Sequence, residues 1–314
     1  MRSSILRFPL FCLALVASVA VSAAPLLTPA ELDALLPDDM VRVVDTRGDD
    51  DFAQAHIPGA VSAPYGQWRG PASNPGELVP MDQLTTLVQA LGLTPQTHAV
   101  IVYAGRNSTD FGSAARVYWT LKSLGMARLS VLNGGLKAWQ AAGLPVTTQA
   151  ADVAPSSWQP QFNDQWLATR DEVRDLLGNG QALLVDARPA PYFEGHKAHP
   201  AAGAWGTLPG AVNLDNARFF KPGSAALMSP AELAQVAQSL QQAPGEDAVS
   251  FCNTGHWAAT EWFVLSEVLG ESNMRLYPGS MVDWTQARTP LPMANEPGRV
   301  MQLAYKISNW IKGD

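Results

Sequence analysis

Short apolar runs of about five residues recur along this chain, the usual length of a strand. They read VRVVD at 41–45, AVIVY at 99–103, LSVLN at 129–133 and AVSF at 248–251, each carrying valine, a residue favoured in strands. Between them lie stretches in which apolar residues return every three or four positions. MDQLTTLVQALG (81–92) puts Leu84, Leu87, Val88 and Leu91 on one face and ends in glycine, a helix stop. AATEWFVLSEVLG (258–270) does the same with Trp262, Phe263, Leu265, Val268 and Leu269. Strands alternating with helices predict an α/β fold with parallel sheets covered on both faces. At the end, GRVMQLAYKISNWIKG (298–313) spaces Val300, Leu303, Ala304, Ile307 and Ile311 along one helical face, which is expected to dock on a domain surface.

The pattern then repeats, and the repeat sets the architecture. VRVVDTRGDDDFAQAHIPGAV (41–61) returns as ALLVDARPAPYFEGH (182–196) and LPGAV (208–212). AVIVYAGRN (99–107) with AARVYWTLKSLG (114–125) returns as AVSFCNTGHWAATEWFVLSEVLG (248–270). LSVLNGGLKAWQAAGLPV (129–146) returns as MRLYPGSMVDWTQARTPL (274–291). Two tandem domains follow, at 24–148 and 165–292. The segment 149–164, rich in Pro, Ser and Asp, joins them, and a helical tail occupies 293–314.

Composition narrows the setting. MRSSILR, the apolar FPLFCLALVASVAV and the small residues VSAAP read as an export signal over 1–23, which predicts a periplasmic protein. The apolar run is short for a membrane span, so no membrane attachment is expected after cleavage. About 290 residues remain, enough for two domains. The 47% hydrophobic content fits two cores and argues against disorder. A formal charge of -7, made more negative by loss of Arg2 and Arg7, disfavours nucleic acid and anionic lipid as partners. The chain has two cysteines, and Cys12 lies in the signal. No disulfide can form within the mature chain, although exported proteins meet oxidising conditions. Cys252 is therefore either a buried apolar residue or a thiol kept free for chemistry.

Its surroundings favour chemistry. Cys252, Asn253, Thr254, Gly255, His256 and Trp257 form a turn between a strand and a helix, at the carboxyl end of the sheet where α/β proteins bind ligands. Successive N–H groups there, with the start of the following helix, cradle negative charge and favour a thiolate. Gly255 supplies backbone freedom. A cysteine phosphatase would need an arginine six positions after the cysteine, where this chain has Ala258. A metal site is not expected, because Cys252 and His256 have no further ligands in view.

The pieces VDTR, HIPGAV, AARVYW and VLNGGLKAW in the first copy, with VDAR, LPGAV, CNTG and LYPGSMVDW in the second, resemble the tandem-domain rhodanese family of sulfurtransferases. The resemblance covers nearly all of the mature sequence. It implies two rhodanese-like domains, each a parallel sheet flanked by helices, and a monomer without cofactor. It implies transfer of sulfane sulfur from a small anionic donor such as thiosulfate, through a persulfide, to cyanide or another thiophile. Use of 3-mercaptopyruvate, or service as a non-catalytic sulfur carrier, are the alternatives. By the same resemblance Cys252 is the nucleophile, Asn253 to Trp257 its loop, Asp186 a brace and Arg188 a pocket-edge arginine. Some members carry basic residues where this chain has Asn253 and Thr254, and a second arginine where it has Tyr192. His256 and the HKAH segment (His196, Lys197, His199) are candidate sources of some replacement charge, and the segment taken alone reads as an exposed polar loop. The first domain has no cysteine; its loop has Tyr103 and Ala104 near the nucleophile position, and Asp45 and Arg47 read as a structural pair. That domain is expected to be non-catalytic and to form one wall of the cleft.

Overall fold

The computed structural model describes residues 23–180, 182–241 and 245–312; the segment 1–23 expected to be an export signal, Cys12 included, lies outside them but for Ala23. Both halves of the chain build one parallel sheet each. The first half runs β1 (Leu26–Leu27), α1 (Pro29–Leu35), β2 (Val41–Asp45), α2 (Asp49–Gln54), β3 (Val61–Ser62), α3 (Met81–Ala90), β4 (His98–Val102), α4 (Phe111–Ser123), β5 (Leu129–Leu132) and α5 (Gly135–Ala141). Its strands lie in the order β1-β5-β4-β2-β3. The second half runs α6 (Arg170–Asn179), β6 (Ala182–Asp186), α7 (Ala190–Phe193), β7 (Val212–Asn213), α8 (Pro230–Ala237), β8 (Asp247–Phe251), α9 (His256–Trp262), β9 (Met274–Leu276) and α10 (Ser280–Thr285). Its order is β7-β6-β8-β9. Leu167 bridges to Leu276 in parallel, taking the edge place that β1 holds beside β5.

Local chemistry sets the same helix start in both halves. Thr28 and Glu31 form a capping box on α1, and Thr169 and Glu172 repeat it on α6. The α3 helix buries Leu84 and Val88, as its spacing predicts. After α9 the chain widens into a π-helical stretch, Phe263–Val268.

The halves share one core. Phe111 of α4 meets Phe263 edge-on at 5.4 Å between ring centroids, and Tyr118 meets the same ring at 5.0 Å. Such edge contacts suit the aromatic quadrupole and add about 1 kcal/mol beyond burial. At the rim, Glu267 takes Tyr118 Oη at 2.8 Å and Lys122 Nζ at 2.7 Å. The connector is packed rather than loose: Gln89 Nε2 donates to the Trp158 carbonyl at 2.8 Å, and Phe162 meets Trp119 edge-on.

The last helix, α11 (Arg299–Lys312), forms where the spacing places it, but it does not dock as expected. Val300, Leu303, Ile307 and Ile311 are exposed, at 83%, 60%, 52% and 71%. The contacts to the body come from polar positions instead. Tyr305 lies 4.5 Å from the His196 ring, and Asn309 Nδ2 donates to the His196 carbonyl. Periodicity fixes which residues share a face; it does not say toward what that face turns.

Tyr103 ties the halves together. Its hydroxyl donates to the Ala225 carbonyl at 2.7 Å and accepts from the Gly134 N–H at 2.9 Å. Tyr103→Phe leaves both buried groups unpaired and should lower unfolding free energy by about 1–3 kcal/mol. A urea titration of the variant checks this, with an unchanged midpoint as the contrary result.

Candidate functional site

Strand register aligns the halves residue by residue. Asp45 pairs with Val102 across β2 and β4, and Asp186 pairs with Phe251 across β6 and β8. The next residues, Tyr103 and Cys252, thus occupy equivalent strand ends. Likewise Ile101 pairs with Val131 and Ser250 with Leu276, so Gly135 and Ser280 are equivalent. Both are left-handed, at φ 62° and 53°. For serine that conformation costs about 1–2 kcal/mol.

Hydrogen bonding repays this strain. Ser280 Oγ accepts from Cys252 N–H at 2.9 Å and Gly255 N–H at 3.2 Å, and donates to the Tyr277 carbonyl at 2.8 Å. The Met281 and Val282 N–H groups reach the Cys252 and Asn253 carbonyls at 3.1 and 3.0 Å. The turn is thus stitched to the start of α10 from both sides. Cys252 is free of disulfide and 1% exposed.

Asp186 and Arg188 form the next layer. Arg188 Nε and Nη2 lie 2.8 and 2.6 Å from the two Asp186 oxygens, and Thr207 Oγ1 adds a bond at 2.7 Å. Arg188 Nη2 also donates to the Gly206 carbonyl, while Nη1 reaches Asn253 Oδ1 at 3.3 Å. Arg188 is 2% exposed, so it does not stand at a pocket edge. Its charge is matched by Asp186, and it touches the turn through Asn253. The Asp45–Arg47 pair in the first half has the same two-pronged form, at 3.0 and 2.7 Å.

The first half closes over the turn. Arg69 Nη2 donates to Thr254 Oγ1 at 2.8 Å, and its Nε is buried without a partner. Arg116 of α4 is 1% exposed. Its Nη2 makes a long bond, 3.3 Å, to the Gly76 carbonyl, while Nε and Nη1 have no acceptor. A Cβ on Gly255 would fall 2.6 Å from Arg116 Nη1 and 2.5 Å from the Pro278 carbonyl oxygen. Gly255, at φ 70°, is needed both for its backbone and for this close approach. Burial pulls the Arg116 guanidinium down to about 10; Tyr65 and Cys252 oppose the shift and Arg69 adds to it. It remains a cation at neutral pH.

His256 does not supply the expected charge. Its Nε2 donates to the Thr109 carbonyl at 2.7 Å, leaving Nδ1 to accept from Tyr65 Oη at 3.1 Å, a neutral tautomer. Burial, with Arg69 close by, pulls it down to about 4. Burial lowers His199 as well. His196 turns toward Glu194 and Tyr305, away from the turn. Trp257 reaches Thr109 Oγ1 with its indole N–H and meets Tyr192 edge-on at 6.0 Å.

The structure therefore brings Cys252 to Trp257, Asp186, Arg188 and Tyr192 to one place. The positive charge beside the turn comes instead from Arg69 and Arg116, which the sequence reading did not select. An arginine inside the apolar run AARVYW was the available signal for one of them. An adjoining cleft of about 500 Å³ is lined by Gly76, Glu77, Arg170, Tyr277, Pro278 and Asp283, among others. There Arg170 bonds both Asp283 oxygens, so that cleft holds no unmatched arginine.

A family model, the rhodanese-like domain, matches residues 28–142 and again 169–287. The thiosulfate sulfurtransferase of Azotobacter vinelandii is 31% identical over 257 residues, covering 82% of this chain and 92% of its own. The human 3-mercaptopyruvate sulfurtransferase is 26% identical, covering 78% and 82%. Among solved structures, SseA from Escherichia coli, titled a 3-mercaptopyruvate sulfotransferase, superposes with a TM-score of 0.71 at 22% identity. That superposition covers 82% of this chain and 99% of SseA.

Two outcomes follow from the site's geometry. Ser280→Ala orphans two buried N–H groups and keeps the strain, so it should destabilise by about 2–4 kcal/mol. Ser280→Gly loses the same bonds but relieves the strain, and should be about 1 kcal/mol more stable than the alanine variant. Chemical denaturation of the pair measures the difference; equal stabilities would remove the strain argument. His256 gives a pH test. Between about pH 6.5 and 4 the unfolded imidazole binds a proton that the folded one, at about 4, does not. Stability should thus fall as pH drops through that window, by about 3 kcal/mol at most from this residue. His256→Gln should flatten that part of the stability–pH curve relative to the parent.

Proposed function

The chain belongs to the rhodanese-like domain family, of which it carries two copies, and from that premise we propose that it is a sulfurtransferase acting through Cys252. The observation that carries this reading is the position of Cys252. It stands beyond β8, in a turn whose amides are held by Ser280, with two first-half arginines against that turn. The equivalent place in the first half holds Tyr103, which has no thiol, so the chemistry belongs to the second half.

The proposed donor is thiosulfate. The Cys252 thiolate attacks the outer sulfur, the S–S bond breaks, and sulfite leaves with the electron pair. Cyanide then attacks the outer sulfur of the Cys252 persulfide. Thiocyanate leaves and the thiolate returns, with no outside oxidant or reductant. The attacking thiolate and the persulfide it forms each carry negative charge, which neighbouring positive charge stabilises. Arg69 supports a dianionic donor: it reaches the turn at Thr254, is only partly buried, and offers the charge that Asn253 and Thr254 lack. The relative from Azotobacter vinelandii, named for thiosulfate, supports the same choice. With Cys252 at 1% exposure, a donor reaches the sulfur only as covering side chains shift, which favours small donors. The proposed compartment is the periplasm, supported by the signal-like sequence over 1–23.

Side-by-side cyanide assays with thiosulfate and 3-mercaptopyruvate test the proposal. Thiosulfate should give the higher kcat/KM, and Cys252→Ser should reduce thiocyanate formation to the uncatalysed rate with either donor. Survival of turnover in the serine variant would remove the persulfide step. A preference for 3-mercaptopyruvate would change the donor and leave the class.

A further inference from the structure

Arg116 is the group in this protein that its own packing least explains. Burying a guanidinium is costly unless the charge is paired and its N–H groups are satisfied. Arg47 and Arg188 obey this rule, each gripping a carboxylate two residues earlier in the chain. Arg116 breaks it. Among the described residues no carboxylate forms an ion pair with it, and two of its three nitrogens lack an acceptor. The Trp119 ring, 5.2 Å from the guanidinium carbon, offers a weak partner. The charge is not stranded at random: Nη1 abuts the α-carbon of Gly255, three residues from Cys252.

Resting on the reading of Cys252 as the sulfur-carrying nucleophile, we propose that Arg116 is the fixed cation for the negative sulfur on that residue. The catalytic centre is then completed by the first half of the chain. The guanidinium acts through space and through the turn, so Arg116 is a positioning residue and does not itself grip the donor. A buried cation without a counter-ion lowers the energy of an anion formed beside it, whether thiolate or persulfide. The inference also answers the alternative for Cys252 itself. A cysteine at 1% exposure in an apolar cluster could be inert packing, but packing gives no reason to leave a bare guanidinium against its turn.

The test uses the chain from Ala24 onward and three substitutions, Arg116→Met, Arg116→Gln and Arg116→Lys. Three quantities are read: the melting midpoint, the rate of Cys252 alkylation by iodoacetamide at pH 7 followed by intact mass, and thiocyanate formation. An unpaired buried cation replaced by an apolar chain of similar length should leave the melting midpoint equal or higher. Alkylation should slow by about tenfold or more, the effect of removing one nearby opposing charge. Turnover with thiosulfate should fall at least as far, and Arg116→Lys should recover part of both rates. A folded Met variant that alkylates at the parent rate overturns the inference. If the Met variant does not fold, the Gln variant gives the same reading on the same terms. Should the parent make no thiocyanate from either donor while alkylation still depends on Arg116, the transferase reading fails and the role of Arg116 toward the Cys252 thiolate stands.

Discussion

Two amides of the Cys252 turn, those of Cys252 and Gly255, converge on one hydroxyl, Ser280 Oγ. That convergence dictates what surrounds it. It holds Ser280 in a left-handed conformation that an alanine would adopt at the same cost and without return. It fixes the path of the turn so that Gly255 presents its bare α-carbon to α4. Only then can Arg116 come as close as it does. It also sets the start of α9, from which His256 and Trp257 both reach Thr109 of the first half. One hydroxyl thus links Cys252, its turn and the interface between the halves.

Charge in the site is divided into two kinds of work. Asp186 and Arg188 neutralise each other and act as a rigid strut between β6 and Asn253; the Asp45–Arg47 pair of the other half is also matched, but Arg47 spends its remaining bonds on the Asp51 and Ala55 carbonyls. Among the described residues Arg69 and Arg116 form no ion pair with a carboxylate, and they set positive charge against the turn. A chain with a formal charge of -7 can therefore favour anions at one place, because local geometry rather than net charge governs a partly dry site.

Much of this was legible in the sequence, and the exceptions have causes. VRVVD forms β2 at its expected bounds, and AVIVY and LSVLN are each within one residue of β4 and β5. Alternation of apolar runs is a local signal, so it survives folding. The repeat placed Cys252 at a strand end for the same reason. Arg188 was read as a pocket residue because a side chain's partner cannot be seen from its position two residues after Asp186. Arg116 was passed over because AARVYW reads as core, and core it is, apart from one charge. His256 was credited with a proton that burial denies it. For Arg116 and His256 the missing information was the packing of one half against the other, and for Arg188 it was the folding of the second half onto itself. Sequence periodicity does not carry that.

The equivalence of Tyr103 with Cys252 bears on how such a chain changes over time. Placing a thiol at 103 removes the hydroxyl that bonds Ala225 and Gly134. Placing a serine at 135, to hold the turn as Ser280 does, brings a Cβ to 2.3 Å from the Tyr103 carbonyl oxygen. Each single step toward a second reactive centre is therefore penalised before the other can reward it. The duplicated halves have passed a ratchet: one keeps the thiol and the other the arginines that lie against its turn, and the interface that joins them bars the way back.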